Sequence, residues 1–274
     1  MDPALLMVLL LIAIGAGIVG ALFGLGGGII FIPVLTIIFG LDAAEAVAAS
    51  LVGIVATSTG SATGFVKKGL SNIRLGMLLE ITTTIGAIVG AIIATYLENW
   101  ILLIMFAMVM LYSGFKMAVS PERTGIEECQ ESNLTFEYSD PVSGVENRKY
   151  EVKNIRSGMA LCTIAGAVSS MTGVGGGSIK VPLMNIYMHV PIKVASATSS
   201  YMIGITAFSG AIIYLIMGTI PLQVAATVAI GAYIGAVIGT KIAARTNASA
   251  LKRYMSVVFF IIAIIMVLKA GGYM

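Results

Sequence analysis

Histidine occurs once in this chain, tryptophan once and cysteine twice, and only 11% of its 274 residues are charged. Each scarcity closes a class of function. The lone imidazole, His189, and the two thiols, Cys129 and Cys162, lie far apart and show no metal-ligand spacing. No disulfide, metal centre or nucleophile–base pair is expected from them, so neither an enzyme nor a cofactor-binding protein. His189 reads as a residue that satisfies a local hydrogen bond. The formal net charge of +3 says little by itself, because the bilayer decides where those charges lie, and no nucleic-acid partner is expected. No Lys or Arg precedes the apolar run that follows Asp2, so the N-terminus reads as a first membrane span rather than a signal peptide.

What the chain has instead is apolar surface. Hydrophobic residues make up 58% of it, in recurring runs of about twenty residues, the length of a membrane-crossing helix. The class is an all-α polytopic membrane protein, with the lipid bilayer as its first partner.

The chain is organised around Gly24-Leu25-Gly26-Gly27-Gly28, with Pro33 beyond it. The run recurs as Gly173-Val174-Gly175-Gly176-Gly177, with Pro182 in the matching place, an offset of 149 residues (173 minus 24). In the same register Ala46 maps to Ala195, Ser50 to Ser199, Thr57 to Thr206, Gly69 to Gly218, Gly86 to Gly235 and Gly90 to Gly239. This is an internal duplication. Glycine is a poor helix former, so the backbone is expected to unwind at both runs. Unwound backbone at membrane depth survives only where protein buries it or it lines a cavity. Matching breaks in two halves point to a transporter's binding site.

Three units follow: a first transmembrane repeat over 1–119, a soluble linker over 120–154 and a second repeat over 155–274. In the first repeat, helices are expected over 4–23, 43–66, 75–97 and 100–119, with a short apolar segment over 29–39. Pro33 is placed near the start of that segment and Asp42 as an N-cap. The linker breaks the pattern with Pro121 and a run of acids. Its alternating stretches, Leu134 to Tyr138 and Arg148 to Val152 around Asp140–Gly144, suggest a β-hairpin, either docked on the membrane domain or loose. The second repeat carries helices over 155–172, 192–217, 221–244 and 251–269, with a short segment over 178–188. Tyr96, Trp100 and Tyr214 near helix ends read as interface anchors.

Lys and Arg mark the cytoplasmic side in short loops. The turn Lys67 to Arg74 is basic, whereas its counterpart, Met217 to Gln223, has no charge. The next loop is reversed, with Glu98 in the first half and Arg245, Lys252 and Arg253 in the second. The fold is therefore read as two inverted-topology repeats of about five helical segments each, with Gly-broken short helices near the centre. Both termini then lie outside the plasma membrane and the linker is cytoplasmic.

A Gly-x-Gly-Gly-Gly run followed by Pro, duplicated in a small polytopic protein, resembles the sulfite exporter family known as TauE/SafE. The resemblance covers both membrane halves and leaves out the linker. It rests most on Gly24, Gly26, Gly27, Gly28, Pro33, Ala46 and Ser50 and on their partners Gly173, Gly175, Gly176, Gly177, Pro182, Ala195 and Ser199. It implies transport of small sulfur-containing anions: sulfite, thiosulfate, sulfoacetate or other sulfonates.

The candidate anion site comprises Gly26, Gly27, Gly28, Ser50 and Thr57 with Gly175, Gly176, Gly177, Ser199 and Thr206. Backbone amides after each glycine run and hydroxyls at seven-residue spacing would hold an anion, although glycines also serve close packing and hydroxyls also bond their own helix. Lys180, where the first repeat has Phe31, would add charge from one side or snorkel to an interface. Ser58, Ser196, Thr198 and Ser200 extend the hydroxyl-rich stretches, and Asn185 and Tyr201 are weaker additions. Glu80 is a coupling candidate for a proton, or an interface residue near Arg74. The reading is a secondary transporter working by alternating access, an exporter coupled to the proton gradient. The alternatives are an anion channel and a sensor signalling through the 120–154 linker.

Overall fold

The computed structural model describes residues 3–119, 135–140, 145–243 and 248–270. Its first half contains α1 (Pro3–Phe23), α2 (Gly28–Pro33), α3 (Ala43–Lys67), α4 (Ile73–Ala94) and α5 (Asn99–Val119). The second contains α6 (Ile155–Thr172), α7 (Gly177–Pro182), α8 (Ile192–Ile216), α9 (Leu222–Ala243) and α10 (Ala248–Ala270). Between them lies a hairpin of β1 (Thr135–Asp140) and β2 (Val145–Glu151). Among the described residues, five helices are long and apolar enough to cross a membrane: α1 from Ala4, α3, α4, α8 and α9. Ile81, Ile85, Val89 and Ile92 on α4 and Ile230, Ile234, Ile238 and Ile242 on α9 form exposed stripes at helical spacing. Such stripes are a lipid-facing surface, since hydrocarbon solvates them at no cost.

Close helix contacts are made through small residues. The α1–α9 and α4–α6 pairs exchange roles between the repeats. Gly231, Gly235 and Gly239 of α9 abut Leu10, Ile14 and Ile18 of α1, so these helices run parallel. Gly86 and Gly90 of α4 abut Thr163 and Ala167 of α6 in the same manner. At Gly86, Gly90 and Gly235 an added Cβ would overlap the facing backbone carbonyl, so only glycine permits this approach. The equivalent helices α3 and α8 cross antiparallel. Leu51 lies near Gly210, the Ser58 hydroxyl donates to the Ser200 carbonyl (2.6 Å), and Ser71 beyond the end of α3 donates to the Ala197 carbonyl (3.1 Å).

Pro33 and Pro182 stand at the last residue of α2 and α7, not near the start, and each is followed by a π-helical turn, Val34–Ile38 and Leu183–Tyr187. Proline lacks an N–H and crowds the carbonyl four residues back, so the ladder slips to wider spacing. The slip shows as Phe39 N–H donating to the Val34 carbonyl and Met188 N–H to the Leu183 carbonyl. Asp42 takes the N-cap position of α3 in extended conformation, but its side chain makes no capping hydrogen bond. His189 adopts a left-handed backbone (φ 62°) where the first repeat has Gly40 (φ 65°).

The hairpin pairs antiparallel, Thr135 with Glu151 through Tyr138 with Arg148, and then shifts register before Asp140 meets Val145. Its turn, 141–144, lies outside the described residues, as does the linker over 120–134. The hairpin is docked. Phe136 stacks on Tyr150 with ring centroids 5.9 Å apart, and Tyr150 is buried with its hydroxyl accepting from Asn72 Nδ2 (2.8 Å). Asn72 in turn caps α4 by accepting from Leu75 N–H, and its own N–H donates to Thr198 Oγ1 of α8. The hairpin thus sits on the turn that joins α3 and α4. Lys68 in that turn donates to the Thr240 carbonyl near the end of α9 (3.1 Å), so these segments share one end of the bundle.

Candidate functional site

The two glycine runs meet inside the helix bundle. Gly24, Gly26 and Gly27 have φ of 69°, 76° and 83°, and Gly173, Gly175 and Gly176 have 66°, 80° and 78°. A side chain rarely tolerates that region, which explains why both runs are glycine. The loops are tied across the duplication. Ser50 Oγ of α3 donates to the Gly173 carbonyl (2.8 Å), and Ser199 Oγ of α8 donates to the Gly24 carbonyl (2.9 Å). Gly28 packs on Gly173 and Val174, and Gly177 packs on Gly24 and Leu25. The equivalent residues Ile54 and Ile203 fill the space between the loops, both against Gly26, with Ile54 also against Gly28 and Gly175.

Ser50 and Ser199 therefore serve as struts, since each has spent its single hydrogen on a carbonyl. Thr57 returns its hydroxyl to the Gly53 carbonyl of its own helix (3.0 Å). Thr206, its counterpart, enters a charged cluster instead.

That cluster joins three helices. Lys180 of α7 is completely buried, and its Nζ donates to Glu80 Oε2 of α4 (3.0 Å) and to Thr206 Oγ1 of α8 (2.6 Å). Thr206 Oγ1 closes the triangle by donating to Glu80 Oε1, and Thr84 Oγ1 adds a longer bond to the same oxygen (3.3 Å). Glu80 is only 3% exposed. Two expectations are corrected here. Lys180 does not snorkel, because α7 ends in the bundle interior. Glu80 is not an interface residue near Arg74, because its face of α4 turns toward α7 and α8. Lys180 does break the symmetry of the site, but its charge is balanced by Glu80. Burial of an ion in a low-dielectric interior demands such a partner.

The symmetry-related place, formed by α2 and α3 of the first half and α9 of the second, holds no copy of this cluster. Phe31 stands for Lys180, Ala229 for Glu80, and Thr57 is bonded elsewhere. The second half also holds buried hydroxyls without a hydrogen-bond partner: Ser169, Ser170, Ser178, Ser196 and Ser200. Their counterparts are Gly20, Ala21, Ile29, Val47 and Leu51. Ser169 Oγ and Lys180 Cε both lie against Gly176, and Ser196 Oγ lies against Gly24. Thr84, Ser169 and Ser178 were not among the expected site residues. The signal for the two serines was present, because each flanks the second glycine run and is polar only there.

Asn185 is buried, donates from Nδ2 to the Val190 carbonyl (3.0 Å) and leaves Oδ1 unpaired. Tyr201 is half-buried beside Gly76. Tyr96 and Trp100 are exposed, as interface anchors are. Tyr214 is not one: it is fully buried, and its hydroxyl donates to the Ser170 carbonyl (3.2 Å). Position near a helix end misleads there, because Tyr214 is on the face of α8 turned into the bundle, whereas Leu215 and Ile216 beside it are exposed.

The chain matches the family described as Sulfite exporter TauE/SafE over residues 9–266. It is 24% identical over 263 residues to the probable membrane transporter protein YunE of Bacillus subtilis, covering 93% of this chain and 95% of that one. A probable membrane transporter protein of Methanocaldococcus jannaschii is 26% identical over 282 residues, covering 96% and 97%. Sulfite exporter TauE/SafE family protein 5 of Arabidopsis thaliana is 28% identical over 147 residues, which are 52% of this chain and 32% of that one. No solved structure matches the chain. A glycine-loop pair carried by a polytopic helical bundle, matched along nearly its whole length, establishes that this chain belongs to the TauE/SafE sulfite exporter family of membrane transporters.

Proposed function

We propose that the chain is a secondary transporter that moves small sulfur-containing anions (sulfite, thiosulfate, sulfoacetate or other sulfonates) out of the cell by alternating access, coupled to the proton gradient. The observation that carries this reading is the reciprocal crossing of two unwound glycine loops, each fastened by a serine of the other repeat's long helix. Broken segments meeting across a duplication are how secondary transporters build a central site that two halves can rock around. The anion site is assigned to Gly26, Gly27, Gly28, Gly175, Gly176 and Gly177, with Lys180 and Thr206 supplying the charged and hydroxyl donors and Glu80 carrying the coupling proton. The Arabidopsis relative's name, a sulfite exporter family protein, agrees with the anion class.

The experiment is flux in proteoliposomes for sulfite, sulfoacetate, thiosulfate and sulfate, with and without a pH gradient. A transporter gives saturable flux of at least one sulfur anion that responds to the gradient. Flux indifferent to the gradient at every concentration points to a channel, and no flux of any of these anions defeats the proposal.

The antiparallel crossing of α3 and α8 supports two repeats inserted in opposite senses in the plasma membrane. The end that carries Lys67, Lys68 and the hairpin is then cytoplasmic, with both termini outside. In a background lacking Cys129 and Cys162, Lys67→Cys is expected to be shielded from an impermeant thiol reagent in intact cells, and Met217→Cys to react. Labelling of both from the same side removes the inverted arrangement.

A further inference from the structure

Glu80 is bound as an anionic ligand would be. Its two carboxylate oxygens receive an ammonium, Lys180, and two hydroxyls, Thr206 and Thr84. The cluster joins α4 of the first half to α7 and α8 of the second, and the symmetry-related place, on α9, α2 and α3, has Ala229, Phe31 and a self-bonded Thr57 instead. A pair kept only for folding need not be one-sided, and the symmetry-related place is built without it, with Phe31 buried among apolar residues. Beside the cluster lies an unused donor. The Ser169 hydroxyl is 1% exposed, has no hydrogen-bond partner and lies with the Lys180 side chain against Gly176.

Resting on the transport reading above, we propose that the Glu80 carboxylate holds the place of the transported anion, and that anion and carboxylate compete for the Lys180 ammonium and the Thr206 hydroxyl. When a proton from solvent neutralises Glu80, the carboxyl loses its hold on Lys180 and withdraws. A sulfonate or similar oxyanion then takes two of the vacated donors with two of its oxygens and the Ser169 hydroxyl with the third. The balance is simple: one carboxylate oxygen gains a proton, no other covalent bond changes, and a monovalent anion replaces one negative charge with another. The site stays neutral throughout, which a buried lysine in a membrane requires. One proton accompanies each monovalent anion, so the membrane potential drops out. Export then runs down the anion's own outward gradient, and a pH gradient that is acid outside opposes it. The Cys162 thiol of α6, hydrogen-bonded with Thr83, is within electrostatic reach of both, and α8 turns the hydroxyl of Thr206 to the pair.

The test uses the purified full chain in detergent and three anions that stay ionised across the range in which a carboxyl titrates: methanesulfonate, ethanesulfonate and thiosulfate. Calorimetry and a pH dye in weak buffer read affinity and protons together. Methanesulfonate binding is expected to take up one proton per anion, and affinity to fall about tenfold per pH unit above the carboxyl's titration. Glu80→Gln is expected to bind the anion with no proton uptake and no dependence on pH over that range. Lys180→Met loses binding by more than about a hundredfold, as expected when a buried site loses its charged donor. The double variant Glu80→Gln/Lys180→Met serves as the fold control, folding without binding. Should Glu80→Gln not fold, the wild-type proton count still decides. Binding without proton uptake, or binding undiminished in Lys180→Met, overturns the exchange and leaves the transport reading standing. A wild type that binds none of the three anions overturns both.

Discussion

Gly27→Val and Gly176→Val are each expected to abolish anion flux. Both glycines hold left-handed backbone, φ 83° and 78°, which a β-branched residue enters at a cost of about 1–3 kcal/mol. Both also lack room. A Cβ at Gly27 would stand 3.0 Å from the Ala16 carbonyl and from the Phe31 ring, and one at Gly176 would stand 3.1 Å from Ser169 Oγ and 3.3 Å from Lys180 Cε. Relief of either contact moves the loop, and with it the Ser50 or Ser199 tie that joins the repeats. Gly40→Val is the comparison: it shares the left-handed backbone (φ 65°), but nothing lies near an added Cβ there. Its transport is expected to persist with a modest loss of thermal stability. Proteoliposome flux normalised to the amount of folded protein separates the three. Wild-type flux from both Gly27→Val and Gly176→Val would reduce the loops to packing elements.

Glu80→Leu, made alone, is expected to lower the thermal unfolding temperature in detergent more than any other single change in the charged cluster. It leaves the Lys180 ammonium buried with only Thr206 for a partner. Removal of one member of a buried pair costs about 3–5 kcal/mol, because the charge that remains has lost its compensation. Glu80→Leu/Lys180→Met should recover most of that loss, since the symmetry-related place is already apolar, with Phe31 packed near Ala225 and Val228. Recovery of folding together with complete loss of sulfonate binding assigns the pair to function rather than stability. A double variant less stable than Glu80→Leu would show that the pair holds α4, α7 and α8 together on its own account.

Much of the architecture was legible in the chain. Runs of apolar residues at span length, broken only by glycine, leave few options in hydrocarbon, where every backbone group must bond within its own segment. The duplication was readable because equivalent positions in two copies face equivalent surroundings, so Ser50 with Ser199 and Gly28 with Gly177 keep their identities. Even the hairpin showed in its alternation from Phe136 through Tyr150. Tyr214 was misread because a residue's place along a helix says nothing about which neighbours enclose it.

The sequence by itself determined the class of molecule, the two halves, the glycine breaks and the family, because these depend on composition, periodicity and repetition along the chain. The tertiary structure alone decided what the polar residues do. Lys180 and Glu80 lie far apart in sequence, and no spacing rule could join them. They became partners only when α4, α7 and α8 were packed together. The same packing spent the Ser50 and Ser199 hydroxyls on the opposite loops' carbonyls and left Ser169 without a partner. In a dry interior a hydroxyl or a charge bonds whatever the fold brings within reach, and that choice is made in three dimensions.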